Sequence, residues 1–477
     1  MTFTTLTFAL FLALVFALYW SAPGRRGQNL VLLISSYVFY GWWDPRFCAL
    51  LLGSSLVDFY VARALTRGTG RRRQILLALS CTLNLGLLAL FKYYSFFVES
   101  LAVALASLGL QPGLPSLTLI LPVGISFYTF QTLGYTIDVY RRETAASERL
   151  LDYLAYVALF PQLVAGPIER AGRLLPQLSR ARSFDEAQAR DGAKQMLWGF
   201  SKKIILADHL GAFVDQIYAG SIVHASGPVL IVATVCFAFQ IYCDFSAYSD
   251  IAIGSARLLG INLVRNFAHP YFSRSLGEFW RRWHMSLSTW FRDYVYIPLG
   301  GSRHGRARYW LSLMLTFTLS GLWHGANWTF VLWGAGNGLL VGLGSLRSAP
   351  ERASSRERVG LGGLAAMLGT FGLICLTWVL FRAEDLPQAM GVYAAMLVDL
   401  PRASGWAELR VHQEFLAAFG PVLAAFVMVE WLTRDAPHPL GLERCPRALR
   451  WAIYTALLWA TVYLMPPEPE SFIYFQF

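Results

Sequence analysis

Residues 309–346 read YWLSLMLTFTLSGLWHGANWTFVLWGAGNGLLVGLGSL, and this stretch contains no aspartate, glutamate, lysine or arginine. About 20 apolar residues are enough for a helix to cross a bilayer, so the stretch has room for two crossings. The glycines on either side of His324 permit a break or a close backbone approach in its middle. The stretch therefore predicts membrane-spanning helices with an ionisable histidine inside the apolar region.

The whole chain has the composition of a polytopic membrane protein. Of its 477 residues, 56% are hydrophobic and only 14% are charged, far from the average of soluble domains. Apolar runs recur from Thr2 to Met465 without a long polar insert, which predicts one all-α membrane domain over 1–477. The first run, 2–20, has no basic segment before it and no small-residue cleavage site after it, so it predicts a retained span and not a signal peptide.

The basic residues lie between the apolar runs. The chain has 40 Lys and Arg against 29 Asp and Glu, a formal net charge of +11. Because cytoplasmic loops of membrane proteins are enriched in Lys and Arg, this pattern argues for membrane topology and against a nucleic-acid partner. With every basic cluster in the cytoplasm, we predict a bundle of about 12 crossings, a re-entrant segment at 150–169 and both termini outside the cytoplasm.

Metal and disulfide chemistry have no support in the sequence. The six cysteines stand singly, with no Cys-x-x-Cys and no His pair at zinc spacing. Phosphate loops, Gly-x-Ser-x-Gly elbows and His-Glu-x-x-His helices are also absent from the sequence. We therefore expect no metal and no tightly bound cofactor.

His324 is the first candidate for catalysis. Ionisable residues in a membrane are costly and commonly face a cavity or a partner. A desolvated imidazole is neutral and can take a proton from a hydroxyl, which is the work of a general base. A histidine that only bridges two helices is the structural alternative. Asn327 could orient the imidazole or hold a carbonyl oxygen, or it could simply cap a helix.

The second candidate region is 275–294, SLGEFWRRWHMSLSTWFRDY. It opens with a Ser-x-x-Glu capping box, and its helical periodicity predicts one amphipathic helix at the cytoplasmic membrane surface. His284 falls at the border between the apolar and polar faces, where it could touch substrate. Residues 257–308 carry nine basic and two acidic residues, which suits an anionic ligand such as a phosphorylated cofactor. A plain interfacial anchor is the alternative.

Four acidic residues, Asp138, Glu169, Asp244 and Asp250, stand in apolar surroundings. Charged carboxylates are expensive there, and for all four a structural hydrogen bond or ion pair is favoured over catalysis. The remaining histidines lie near loops or polar flanks and are assigned no role; they are residues 209, 224, 269, 304, 412 and 438.

Five ordered stretches give the sequence a resemblance to the membrane-bound O-acyltransferase family, most densely over 120–335. They are 121–131 (LPVGISFYTFQ), 160–168 (FPQLVAGPI), 244–254, 279–301 and 323–325 (WHG), and the closing 472–477 (FIYFQF) also fits the bacterial polysaccharide branch of that family. The resemblance implies a ring of helices around a central tunnel. It also implies that His324 is the catalytic histidine and His284 the second family histidine.

The reaction implied by the resemblance moves an acetyl group from cytoplasmic acetyl-CoA across the inner membrane toward a polysaccharide such as alginate. An extracytoplasmic acetyltransferase and a polysaccharide secretion complex would be the partners. His324 would act as general base, because a thioester needs positioning, deprotonation of the incoming hydroxyl and exclusion of water. Substrate contacts are assigned to Asn327, Trp323, Arg281, Arg282 and Asp244, with the two arginines as candidates for cofactor phosphates.

Three other functions remain open from the sequence. A related subunit could pass a D-alanyl group to a cell-wall polymer from a carrier protein. A transporter or lipid-linked sugar flippase would also have many spans and polar groups at the midplane, but residues 1–240 contain no counterpart of 323–328. A non-catalytic scaffold for polysaccharide export would tolerate loss of His324.

Overall fold

The computed structural model describes all residues except 111–112, 114, 116, 118, 220–224, 348–359, 437, 467–470 and 474–477. Within the described part of the chain the regular structure is helical, with no strand. Contacts divide the chain into two compact units: unit 1 comprises residues 1–193 and 252–264, and unit 2 comprises residues 194–251 and 265–477.

The first nine α-helices all belong to unit 1. They are α1 Leu6–Ser21, α2 Gly24–Gly41, α3 Arg46–Arg67, α4 Gly70–Leu88, α5 Tyr94–Ser107, α6 Ile125–Arg141, α7 Leu150–Ala158, α8 Phe160–Leu163 and α9 Ala171–Leu178. A π-helical turn, Ala89–Tyr93, joins α4 to α5.

A buried carboxylate ties three helices of unit 1 together. Asp58 of α3 is fully buried and accepts hydrogen bonds from Ser80 Oγ (2.5 Å) and Asn84 Nδ2 (2.8 Å) of α4. Thr132 of α6 donates in turn to Asn84 Oδ1 at 3.2 Å. Since a buried polar group is tolerated only when it is hydrogen-bonded, this network fixes the packing of α3, α4 and α6.

The segment predicted to be re-entrant forms α7 and α8. Both helices are too short to cross a hydrocarbon layer of about 30 Å at about 1.5 Å per residue. Every residue from Asp152 to Glu169 is buried. Asp152 of α7 binds Asn29 Nδ2 of α2 at 2.8 Å and forms an ion pair with Arg25. The segment is therefore part of the interior of unit 1.

The remaining helices run from α10 to α21. They are α10 Glu186–Ser201, α11 Asp208–Ala219, α12 Gly227–Leu258, α13 Leu276–Arg282, α14 Met285–Phe291, α15 Gly305–His324, α16 Trp328–Arg347, α17 Leu361–Arg382, α18 Leu386–Asp399, α19 Ala403–Leu409, α20 Gln413–Leu432 and α21 Arg447–Tyr463. Two π-helical turns, Lys202–Ala207 and Arg292–Tyr296, follow α10 and α14.

Six helical segments among the described residues are long and apolar enough to cross a membrane. They are Arg46–Arg67, Gly70–Ser107, Gly227–Leu258, Trp328–Leu346, Leu361–Arg382 and Ala403–Leu432, and Leu6–Ser21 is a shorter apolar helix. A multi-pass membrane protein is thereby confirmed. The predicted 12 crossings, the tunnel and the placement of the termini stay predictions.

Candidate active site

His324 is the last residue of α15, at the tip of a helical hairpin that α15 makes with α16. The two helices approach so closely that a Cβ at Gly321 would lie 2.2 Å from the carbonyl oxygen of Phe330, and one at Gly334 would lie 2.3 Å from that of Phe317. Only glycine fits at both positions, because a side chain would collide with backbone atoms of the opposite helix. The break that the sequence predicted next to His324 is confirmed, since α16 begins at Trp328.

The imidazole of His324 is surrounded by aromatic rings. It is 4% exposed, and its ring centroid lies 5.0 Å from that of Trp323, 5.1 Å from Trp333 and 5.3 Å from Phe381. The last two rings meet it nearly edge-on, at 88° and 69°. Aromatic walls of this kind exclude water from the imidazole and hold its orientation.

Aromatic side chains continue away from His324 as a row of rings in contact. Trp333 stacks on Trp378 of α17 with centroids 5.7 Å apart and planes at 17°. Trp378 lies 5.1 Å from Trp283, which in turn stacks on Phe279 at 5.5 Å. The chain of rings therefore links α16 and α17 to the 275–294 region.

His284 lies in a tight turn between α13 and α14. Its backbone is left-handed, with φ 42° and ψ 55°, a conformation that costs a residue with a Cβ about 1–2 kcal/mol. The side chain is 1% exposed and lies 4.7 Å from the ring of Phe245 and 6.5 Å from that of Phe267. Burial lowers the pKa of His284 to about 3, so its imidazole is neutral at physiological pH.

Trp323 brings the two histidines together. Its indole ring lies 5.0 Å from the imidazole of His324 and 6.0 Å from that of His284. Trp323 itself is buried, with 3% exposure. Two imidazoles 40 positions apart in the sequence thus share one tryptophan in a dry aromatic environment.

The prediction of one interfacial helix over 275–294 is wrong. The helix ends at Arg282 and a second one starts at Met285, because the left-handed residue His284 interrupts the helical hydrogen bonds. The predicted apolar face is buried inside the protein, with Phe279 and Trp283 each 1% exposed. His284 is likewise buried and does not lie at a polar border. The capping contact is confirmed, since Ser275 Oγ accepts from the backbone N–H of Glu278 at 3.2 Å.

The predicted substrate contacts fall into different environments. Arg281 is exposed, and Arg282 forms an ion pair with Glu278 at 2.6 Å. Asn327 caps α16, because its Oδ1 accepts from the backbone N–H of Thr329 at 3.0 Å, and its Nδ2 donates to the carbonyl of Glu384 at 2.7 Å. The capping alternative for Asn327 thus has direct structural support.

Asp244 belongs to a buried ion cluster. Lys203 Nζ lies 2.6 Å from Asp244 Oδ1 and 2.7 Å from Asp208 Oδ1, with all three side chains at most 4% exposed. The other Asp244 oxygen accepts from the backbone N–H of Ile473 at 2.9 Å. Burial by itself would lower the pKa of Lys203, but the two carboxylates outweigh it and raise that pKa above its ordinary value. Asp244 therefore has a structural ion pair, as the sequence favoured.

Two of the other three acidic residues, Asp250 and Glu169, also have structural partners. Asp250 accepts from Lys202 Nζ at 2.6 Å and from Gln195 Nε2 at 2.7 Å. In unit 1, Glu169 accepts from the backbone N–H of Val264. Burial raises the pKa of Glu169 to about 7, partly opposed by that hydrogen bond.

Sequence reasoning missed several residues of the site. Trp333 and Phe381 touch His324, and Asn266 binds the turn that holds His284. His269, assigned no role from the sequence, forms a buried network in which Glu430 Oε2 accepts from Tyr242 Oη at 2.6 Å and lies 2.7 Å from His269 Nδ1. Trp333 could have been found, because it lies in the same apolar stretch as His324; the others carry no local sequence signal.

Metal ligation has no support in the described residues, where no group of three or more His, Cys, Asp or Glu side chains could hold an ion. His224 and residues 474–477 of the closing motif lie outside the described residues. Phe472 and Ile473 of that motif are buried.

Comparison with known proteins identifies the family. Residues 139–378, which include both histidines, match the membrane-bound O-acyltransferase family. The chain is 36% identical to a probable alginate O-acetylase of Pseudomonas putida over 98% of both chains. It is 32% identical to a peptidoglycan O-acetyltransferase of Helicobacter pylori, covering 77% of this chain and 73% of the relative. A teichoic acid D-alanyltransferase of Streptococcus thermophilus is 29% identical over 54% of this chain and 68% of its own. The chain therefore belongs to the membrane-bound O-acyltransferase family.

Proposed function

We propose that this O-acyltransferase moves an acetyl group from cytoplasmic acetyl-CoA across the bacterial inner membrane for the O-acetylation of an exopolysaccharide such as alginate, with His324 as general base. The observation that carries the proposal is the pair of buried histidines around Trp323. The 36% identity to a probable alginate O-acetylase, over 98% of this chain, supports the acetyl group and the polymer class.

The residues of the site suit transfer from a thioester. The acceptor hydroxyl oxygen attacks the acetyl carbonyl carbon, the carbon–sulfur bond breaks, and the hydroxyl proton passes through the imidazole of His324 to the leaving thiolate. A thioester is already activated, so the protein has to place the reactants, accept the proton and keep water away. The rings of Trp323, Trp333 and Phe381 around His324 serve the last of these tasks.

The roles of the other predicted site residues differ in their support. Trp323 stays a proposed substrate contact, because it touches both imidazoles. Arg281 is exposed and suits the phosphates of acetyl-CoA, with Arg282 beside it in an ion pair with Glu278. For Asn327 and Asp244 the helix cap and the ion cluster favour a supporting role over direct contact.

The acceptor is the finer part of the proposal. The H. pylori relative is named for peptidoglycan and the S. thermophilus relative for teichoic acid D-alanylation. Both match a smaller share of this chain than the probable alginate O-acetylase does, which favours acetyl transfer to an exopolysaccharide. An extracytoplasmic acetyltransferase and a polysaccharide secretion complex are the proposed partners.

The test measures polymer-bound acetate in cells that depend on this chain. Cells carry the wild type, His324→Ala, His284→Ala or the control His209→Gln, each at equal membrane abundance. His209 is a suitable control because its Nδ1 lies 2.9 Å from the carbonyl oxygen of Ile204 and its ring lies 4.8 Å from that of Phe419. Neither residue is among the rings that surround His324. We expect acetate to be lost in both site variants and retained in the control. Retained acetylation with His324→Ala would mean that a partner protein performs the chemistry and that this chain is a scaffold.

A further inference from the structure

Asn266 holds the turn on which His284 lies. Asn266 is 1% exposed, and its backbone carbonyl accepts from the N–H of Met285 at 2.9 Å. Its side-chain Oδ1 lies 3.2 Å from the backbone nitrogen of Ser286, 2.9 Å from Ser286 Oγ and 3.1 Å from His284 Nδ1. Three polar atoms of the turn thus converge on one side-chain atom.

The identity of that atom determines which ring nitrogen of His284 carries the proton. A backbone N–H can only donate, so the atom that faces the nitrogen of Ser286 must be the amide oxygen of Asn266 and not its nitrogen. An amide oxygen can only accept, so His284 Nδ1 must carry a hydrogen. A neutral imidazole has one N–H, which leaves Nε2 of His284 as a hydrogen-bond acceptor.

We propose that Asn266 is a positioning residue that locks His284 in the Nδ1–H tautomer. His284 Nε2 is then the atom that accepts a hydrogen bond from the substrate during acyl transfer, while the attacking hydroxyl gives its proton to His324. The inference rests on the proposed function for the involvement of His284 in the acyl path. In other enzymes a carboxylate or carbonyl oxygen accepts a hydrogen bond from one imidazole nitrogen and so fixes which nitrogen holds the proton. Here the side-chain oxygen of Asn266 has that role.

The structural role of Asn266 has to be separated from its effect on the tautomer. Asn266 Nδ2 donates to Ser249 Oγ at 3.3 Å, on the other side of the amide from the turn. Ser249→Ala removes that contact and leaves Oδ1 in place, so it is the matched control. Asn266→Asp keeps an accepting oxygen toward the turn, whereas Asn266→Ala removes it.

The direct test is the nitrogen spectrum of the histidines. The full chain is labelled with ¹⁵N-histidine and reconstituted in lipid nanodiscs, and the His284 signals are assigned by their disappearance in His284→Gln. We expect the Nδ1–H form of His284 in the wild type, in Ser249→Ala and in Asn266→Asp, and a mixture with the Nε2–H form in Asn266→Ala. An Nε2–H signal in the wild type would overturn the inference, and that result does not depend on the folding of any Asn266 variant.

Acetyl transfer at varied pH supplies the second readout. A carboxylate at position 266 favours the imidazolium form and raises the pKa of His284, so Asn266→Asp should lose activity on the acid side at a higher pH than the wild type. We expect Asn266→Ala to lose at least tenfold in rate and Ser249→Ala less than twofold. An Asn266→Asp profile that coincides with that of the wild type would contradict the inference. Expected spectra combined with full activity of His284→Ala would instead leave the tautomer standing and refute the proposed part of His284 in transfer.

Discussion

Replacing Lys203 with methionine is expected to destabilise unit 2 severely. Lys203 Nζ lies 2.6 Å from Oδ1 of Asp244 and 2.7 Å from Oδ1 of Asp208, and all three side chains are at most 4% exposed. Lys203→Met would leave two buried carboxylates without their cation. Breaking a buried pair in this way costs about 3–5 kcal/mol, which is about two to four orders of magnitude in the unfolding equilibrium.

The control for this change is a lysine with an exposed partner. Lys194 lies 2.5 Å from Glu443, whose side chain is 62% exposed, so Lys194→Met should cost less than about 1 kcal/mol. Both variants are compared by unfolding in mixed detergent and SDS micelles, followed by circular dichroism. Adding Asp244→Asn to Lys203→Met should recover part of the loss, because one of the two unpaired charges is removed. Equal stabilities of Lys203→Met and Lys194→Met would refute the reasoning.

Two further predictions concern the helical hairpin and the acid of unit 1. Gly334→Ala should lower stability by about 1–3 kcal/mol and reduce acetyl transfer, because its Cβ would meet the carbonyl of Phe317. The control Gly336→Ala, with open space around the new Cβ, should change neither stability nor activity. Equal thermal stability and activity in the two variants would contradict the close packing. Glu169, whose pKa is raised to about 7, binds a proton more readily in the folded state, so stability should fall as pH rises from about 5 to 7. Glu169→Gln should remove that slope in pH-dependent unfolding, and an unchanged slope would count against the burial of this carboxyl.

The local features around His324 could be predicted from the sequence. A 309–346 stretch without charged residues, interrupted by glycines and one histidine, is enough to predict apolar helices and a break between them. The rings that complete the surroundings of His324 could not all be predicted. Phe381 and Trp378 lie more than 50 positions further along the chain, on a helix whose sequence differs little from other apolar helices, so only the tertiary packing shows that they belong to the site.

The helix break at His284 could not be predicted from the sequence, for a different reason. Phe279, Trp283, Leu287 and Trp290 follow helical periodicity, and all four are buried, so the apolar pattern fits the segment whether or not it is interrupted. Left-handed backbone usually has glycine or asparagine as its signal, but here a histidine adopts it. The stabilising partner is Asn266, 18 positions earlier, and such a partner cannot be identified from local sequence.

The ion cluster around Lys203 also has a consequence for the biogenesis of the protein. Asp244 receives a hydrogen bond from the backbone N–H of Ile473, 229 positions later in the chain, and the ring of Phe472 lies 4.7 Å from Lys203 Nζ. Those two residues are synthesised after Lys203, Asp208 and Asp244, so the cluster is incomplete until the chain has been extended past Ile473. Unit 2 can reach its final packing only after Phe472 and Ile473 have been made, and a nascent chain that stops before them carries a lysine and two carboxylates without these two contacts.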